Sequence, residues 1–330
     1  MPGFPDPPSA SVTELKGQVL WTREIHGVAG QNPSFGPAGA ALYLSDGWGN
    51  RPAPALRFRR FDASSGEETG RWPCGSTVRC LVPLDGGDLL VATDQRLARL
   101  DATTLVERDR WNRGIRHATT MAVSGGIAAA GNSAMPTVSL LELSTGALRR
   151  RRHGPALAIL GRTTGDPILV GGSPASLSLL DPTTGDIRRL RSLPSAMAAA
   201  LSADELGVWL VTGVRAVVDE RPGGVSVRPG DAVTRLEWHP LDGGEPLAID
   251  APLPVRTIAV DAGSLWLTPG PLSGTPQHLA IRAPHGGWRV WRPPYGEMID
   301  AVAPAAGLVI TSIRVDGAER RAMTCHRVAA

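Results

Sequence analysis

The chain has 330 residues, among them 39 Gly and 29 Pro, and a formal net charge of +3. The Gly and Pro are spread along the chain and the apolar content is ordinary, which excludes a wholly disordered chain and allows a large core. No apolar run is long enough to cross a bilayer.

Residues 1–11, with Pro2, Pro5, Pro7 and Pro8, read as a flexible leader without the basic start and apolar core of a signal peptide. A cytoplasmic protein is expected, with one domain over residues 12–330. Lys16 to Glu24 follows as a lone strand. A turn motif then recurs between short alternating apolar runs, as hairpins require. Its copies are Asp62-Ala63-Ser64-Ser65-Gly66, Asp101-Ala102-Thr103-Thr104-Leu105, Glu142-Leu143-Ser144-Thr145-Gly146 and Asp181-Pro182-Thr183-Thr184-Gly185, with weaker ones at Asp242-Gly243-Gly244 and Pro284-His285-Gly286-Gly287. The turn positions 66, 105, 146, 185, 244 and 286 are 39, 41, 39, 59 and 42 residues apart. Four of these spacings fit a four-stranded propeller blade of roughly 40–45 residues. The long one holds an insertion at 211–233.

At the C-terminus, Gly307–Ile313 and Arg320–Cys325 read as strands around Asp316-Gly317, and no fourth strand follows. The N-terminal strand is therefore predicted to complete that blade, which removes the open edge of the ring. The fold predicted is all-β: a single seven-bladed β-propeller of four-stranded blades, the last closed by the N-terminal strand. One irregular blade would make the count six or eight. Within blades, tight turns such as Asp85-Gly86-Gly87 and Asp261-Ala262-Gly263 separate the inner two strands.

Of the 34 basic residues only Lys16 is a lysine. Arginine forks grip carboxylates and phosphates. The run Arg149-Arg150-Arg151-Arg152 does not make a nucleic-acid patch, because a strand sends alternate side chains to opposite faces. Cys74, Cys80 and Cys325 form neither a disulfide framework nor a CxxC metal pair. Trp21, Trp72, Trp111 and Trp291 recur near outer-strand ends and are assigned to blade packing. The chain lacks a phosphate-binding GxxxxGK[ST] loop, HExxH, GxSxG and GxGxxG, which argues against ATP-driven chemistry, zinc proteolysis, α/β-hydrolase action and Rossmann hydride transfer.

The spacing Asp62…Gly66…Trp72, repeated as Asp101…Trp111 with Leu105 at the glycine position, resembles the repeats of quinoprotein-like and YVTN-type propellers. The Asp85-Gly86-Gly87 and Asp261-Ala262-Gly263 turns are similar to those of gluconolactonase and streptogramin-lyase propellers. This resemblance is at the level of blades and implies the fold; it carries over no catalytic residue.

The short turns belong to one face of the ring, so the opposite face must carry the variable loops, where function usually resides. Inner-strand starts and loops on that face supply the candidates. His117, His153 and Glu297 are the proton-transfer candidates. Asn32, Trp48, Arg79, Arg116, Arg256, Tyr295 and Asp300 are the substrate-binding candidates, the arginines for anionic groups and the aromatics for stacking. Glu297 and Asp300 with a histidine could hold Mg or Ca, although no metal site is fixed. Two functions stay open. One is a lyase, cyclase or hydrolase acting on a small anionic or polycyclic metabolite. The other is a non-catalytic scaffold that binds a protein or peptide on the same face. Neither nucleic acid nor membrane is an expected partner.

Overall fold

The computed structural model describes residues 12–26, 33–45, 56–112, 115, 117–163, 165–172, 174–213, 216–221, 224–270, 276–284, 286–315 and 320–328. The predicted leader lies outside them.

The turn motif closes by local chemistry. In blade 1 the Asp62 carboxylate accepts the backbone N–H groups of Ser64 and Ser65 at 3.0 and 2.9 Å, and Gly66 N–H returns to the Asp62 carbonyl at 2.8 Å. Asp101 and Asp181 repeat the pattern in blades 2 and 4. An aspartate that bonds its own backbone two and three residues on is the reason this residue starts the turn. The fifth residue needs a left-handed backbone, and Gly66 and Gly185 supply it at φ 70° and 79°. Leu105 holds the same place at φ 58°. That backbone costs a non-glycine residue about 1–2 kcal/mol. Burying a leucine side chain returns about 1.5–3 kcal/mol, and Leu105 is 2% exposed in the core between blades 1 and 2.

Pairing of these hairpins gives the predicted seven-bladed ring. From the inner strand outwards, blade 1 is Ser34–Phe35, Ala41–Ser45, Arg57–Asp62 and Glu68–Pro73; blade 2 is Val78–Leu84, Asp88–Thr93, Leu97–Asp101 and Glu107–Trp111. Blade 3 is Thr120–Ser124, Ile127–Gly131, Thr137–Glu142 and Leu148–Arg152; blade 4 is Ala156–Leu160, Ile168–Gly171, Ser176–Leu180 and Ile187–Ser192. Blade 5 is Ala196–Leu201, Gly207–Thr212, Val233–Pro240 and Leu247–Val255, with an extra hairpin, Ala216–Arg221 and Gly224–Pro229, between its second and third strands. Blade 6 is Thr257–Asp261, Ser264–Thr268, Leu279–Arg282 and Trp288–Trp291. Blade 7 is Met298–Ala303, Leu308–Val315 and Arg320–Val328, and its fourth strand is the N-terminal Gly17–His26, antiparallel to Arg320–Val328. Thr13–Glu14 adds a short parallel fifth strand to blade 6.

The core is divided accordingly. Among the described residues, seven buried clusters fall one to each blade junction, so each blade depends on two neighbours. The junction between blades 7 and 1 contains Trp21 and Ile25 from the N-terminal strand. Trp21 is 8% exposed, its Nε1–H donates to the Ala63 carbonyl at 2.8 Å, and its ring covers Gly66 so closely that an added Cβ would sit 2.6 Å from it. Similar contacts recur on this turn face. Trp111 lies over Gly146, and Arg151 lies over Gly185 while donating to the Thr184 carbonyl at 2.7 Å. Arg191 donates to Gly244 at 2.6 Å.

Trp21→Ala is expected to lower stability by about 3–5 kcal/mol, measured by urea unfolding, and removal of residues 1–26 to abolish the cooperative transition. A truncated chain that melts like the full one would contradict closure by this strand.

Candidate functional site

The loops opposite the turn face meet the inner strands at the mouth of the ring. Arg79 comes from the inner strand of blade 2, and His117 from the connection between blades 2 and 3. They meet on a residue that sequence reasoning missed, Asp94, in the tight connection between the second and third strands of blade 2. The Thr93 hydroxyl accepts Gln95 and Arg96 N–H groups, and Asp94 N–H donates to the Thr77 carbonyl at 3.0 Å. The Asp94 side chain is 5% exposed. Its two oxygens accept the Arg79 fork, Nε at 2.5 Å and Nη2 at 3.2 Å, and Oδ1 lies 2.9 Å from His117 Nδ1. His117 has φ 55°, and Asn132 Nδ2 donates to its carbonyl. A carboxylate at Nδ1 orients the imidazole and leaves Nε2 for an outside partner. The only sequence signal for Asp94 was an acidic residue inside a turn too short to rank among the long loops.

Glu297 sits in a different place. Its Oε2 accepts the Thr311 hydroxyl and lies 3.2 Å from His326 Nε2, which is also 2.9 Å from Thr311 Oγ1. This network reaches outwards to the third strand of blade 7. His326 is 2% exposed, with its ring centroid 4.9 Å from that of Trp291. Burial holds the His326 pKa below the ordinary 6.5, with Glu297 opposing. His153 lies between blades 3 and 4, and burial lowers its pKa also.

Asp300 lines a cavity of about 280 Å³ at the axial mouth, shared with Ser34, Thr257 and Thr268. Its side chain is 4% exposed, with Arg321 Nη1 at 3.8 Å, and burial raises its pKa. Arg256 donates to the Gly230 carbonyl and ties the root of the extra hairpin to blade 6. Tyr295 is fully exposed between blades 6 and 7. Asn32, Trp48 and Arg116 lie outside the described residues.

The ring thus brings Arg79 and His117 together and sets His153 one junction away. Glu297 stands across the ring, at the junction of blades 6 and 7. Among the described residues no group of three or more His, Cys, Asp or Glu is placed to hold a metal ion, so Glu297 and Asp300 do not form a cation site with a histidine there. Two open depressions mark the same face. One, of about 490 Å³, lies between blades 2 and 3 and is lined by Ile115, Ala118, Met135 and Arg150 among others. The other, of about 270 Å³, crosses blades 3 to 5 over Pro155, Gly171, Gly172, Ala175, Pro194 and Gly213. Among the described residues no helix is long and apolar enough to cross a membrane.

No known protein family and no curated protein matches the chain by sequence. In fold it is similar to the WD40 domain of Pan2 from Neurospora crassa, with a TM-score of 0.66 over 95% of this chain and 97% of that one, at 7% identity. A likeness at that identity concerns the fold alone, and folds of this kind host unrelated functions.

A depressed histidine pKa has a defined consequence. The unfolded chain binds protons that the folded chain refuses, so stability is full above 6.5 and falls as pH drops from there through the folded pKa of His326. Asp300 acts with the opposite sign, in the acid range above 3.8. Thermal melts from pH 7.5 to 5 are expected to show falling stability, and His326→Gln to flatten the decline. An identical pH profile in that variant would remove His326 as the cause.

Proposed function

We propose that this propeller is an interaction module that binds a protein or peptide on its loop face. The observation that carries this reading is the form of that face. Among the described residues it presents open depressions, one with Met135 at 50% exposure at its side, and the exposed Tyr295 across the ring, while the titratable candidates are spread over separate junctions. Proton-transfer chemistry requires its groups within hydrogen-bond reach of one substrate. His117 and Glu297, on opposite sides of the ring, answer to different partners. Exposed apolar surface rimmed by polar groups is the mark of an interaction site.

Affinity purification from a source lysate tests this. A specific partner is expected to be retained by the parent and by Asp186→Lys on the turn face, and lost by the loop-face double variant Ala175→Arg, Tyr295→Ala. Equal retention by all three would overturn the assignment of the face.

A second reading has one observation in its favour. The Asp94–His117 pair has the geometry of an oriented general base, and His117 keeps a strained backbone of the kind that gathers at functional sites. On this reading the chain is a lyase, cyclase or hydrolase acting on a small metabolite, in keeping with its blade-level resemblance to lyase and lactonase propellers. Mass spectrometry of a metabolite extract incubated with the protein is then expected to show a compound consumed, and His117→Ala to abolish that turnover without changing the melting temperature. An extract left unaltered by the parent protein would reject the reading.

A further inference from the structure

We propose that the axial cavity between blades 6, 7 and 1 binds an alkylammonium group, with the Asp300 carboxylate as its counter-charge. The site is separate from the depressions on which the reading as an interaction module rests. Asp300 owes its place to the backbone. It is the extra residue of a β-bulge in the inner strand of blade 7, where Ile299 pairs with Thr311 and Ala301 with Ile310. A bulge re-aims a side chain, and here the Asp300 carboxyl lines the cavity while only 4% exposed. The inner strands of blades 2, 4 and 5 carry the same irregularity at Arg79, Leu157 and Met197. An acid at this position is therefore particular to blade 7 and not a demand of the repeat.

The carboxylate is only partly compensated. The Ser312 hydroxyl bonds it, and Arg321 Nη1 stands 3.8 Å away, beyond hydrogen-bond reach, while donating to Ser312 Oγ at 3.2 Å. Burial raises the Asp300 pKa in spite of both. A carboxyl so placed is costly to ionise until a cation comes closer. Among the described residues that line the cavity there is no lysine, arginine or histidine. The other polar groups are hydroxyls. Thr268 Oγ1 accepts Gly270 N–H at 3.2 Å and lies 2.7 Å from Thr257 Oγ1, and Ser34 lines the same space. The walls are apolar, from Phe35, Ile258, Ala301 and Val302. An ammonium only donates, so it suits a lining of one carboxylate and hydroxyl oxygens, and its alkyl chain suits the walls. A bare divalent cation does not fit, because it needs about six or more oxygen ligands and the lining supplies a single carboxylate. At about 280 Å³ the space lies just under the roughly 300–1,000 Å³ of drug-sized clefts, which limits the ligand to a short chain.

The test is calorimetric titration of the full chain at pH 7.5 with n-pentylamine, which is an ammonium at that pH, and with 1-pentanol, its neutral counterpart. A blocked peptide carrying one lysine, and the same peptide with norleucine there, show whether the ammonium comes from a free amine or from a protein side chain. Pentylamine or the lysine peptide is expected to bind saturably, and to bind about tenfold or more tightly than its neutral counterpart. Asp300→Asn, which keeps the shape of the side chain, should reduce that binding by about tenfold or more, and Thr257→Val should reduce it by a smaller factor. The comparison of charged with neutral ligand is made on the parent protein, so it holds even where a variant does not fold. Binding of pentylamine that depends on Asp300 supports a free amine as ligand, and binding of the lysine peptide alone supports a protein side chain. Absence of saturable binding by either, equal affinity for charged and neutral ligands, or a folded Asp300→Asn protein that binds like the parent would overturn the proposal.

Discussion

The structure depends on one repeated contact, in which the outer strand of a blade reaches over the turn of the next. The turn closed by Asp62, Glu142 or Asp181 presents carbonyl oxygens and a glycine. A tryptophan or arginine from the preceding blade covers that spot: Trp21 over Gly66, Trp111 over Gly146, Arg151 over Gly185. Trp21 and Arg151 combine apolar contact with a polar group aimed at the turn, in the Trp21 bond to Ala63 and the Arg151 bond to Thr184. A Cβ at Gly66 or Gly185 would collide with the covering side chain at 2.6 or 2.5 Å. The glycine is therefore required twice, by backbone conformation and by packing. Where Leu105 replaces it, the side chain itself enters the interface between blades 1 and 2.

This contact divides the labour of the two faces. The turn face is consumed by packing, and its loops have little freedom to vary. The loop face bears a hairpin between strands of blade 5, a strained His117 and the open depressions. The buried clusters at the junctions hold these features on a closed ring, which is the condition under which variable loops keep a defined geometry.

The architecture was legible because its determinants are local. An Asp-Ala-Ser-Ser-Gly or Asp-Pro-Thr-Thr-Gly turn declares itself within five residues, and the missing fourth strand beside Arg320–Val328 pointed to the N-terminal strand, Gly17–His26, by simple count. The candidate site was legible in part. Starts of inner strands do face the mouth, as Thr257 and Asp300 show. A linear reading could not weigh the ring, however: each blade turns the chain by roughly 50° in a seven-bladed closure, which carries Glu297 away from His117. Nor could it see that Glu297 reaches outwards to Thr311 and His326, or that Asp94 binds both Arg79 and His117. Those pairings link side chains 14 to 29 residues apart in sequence, with no periodicity to announce them.

The outer strand of blade 3 shows how closely packing and surface chemistry are joined here. Four consecutive arginines look redundant in sequence, yet the period of two gives them separate duties. Arg149 and Arg151 hold the next blade by its turn carbonyls, while Arg150 and Arg152 are turned to the margin of the depression between blades 2 and 3. A slip of one residue in register would exchange the two pairs, removing the contact to blade 4 and withdrawing the charges from that margin together. The same hydrogen-bond ladder that fixes Leu148 opposite Leu141 therefore also decides which arginines face the margin of that depression. Integrity of the ring and character of the loop face are set by one register.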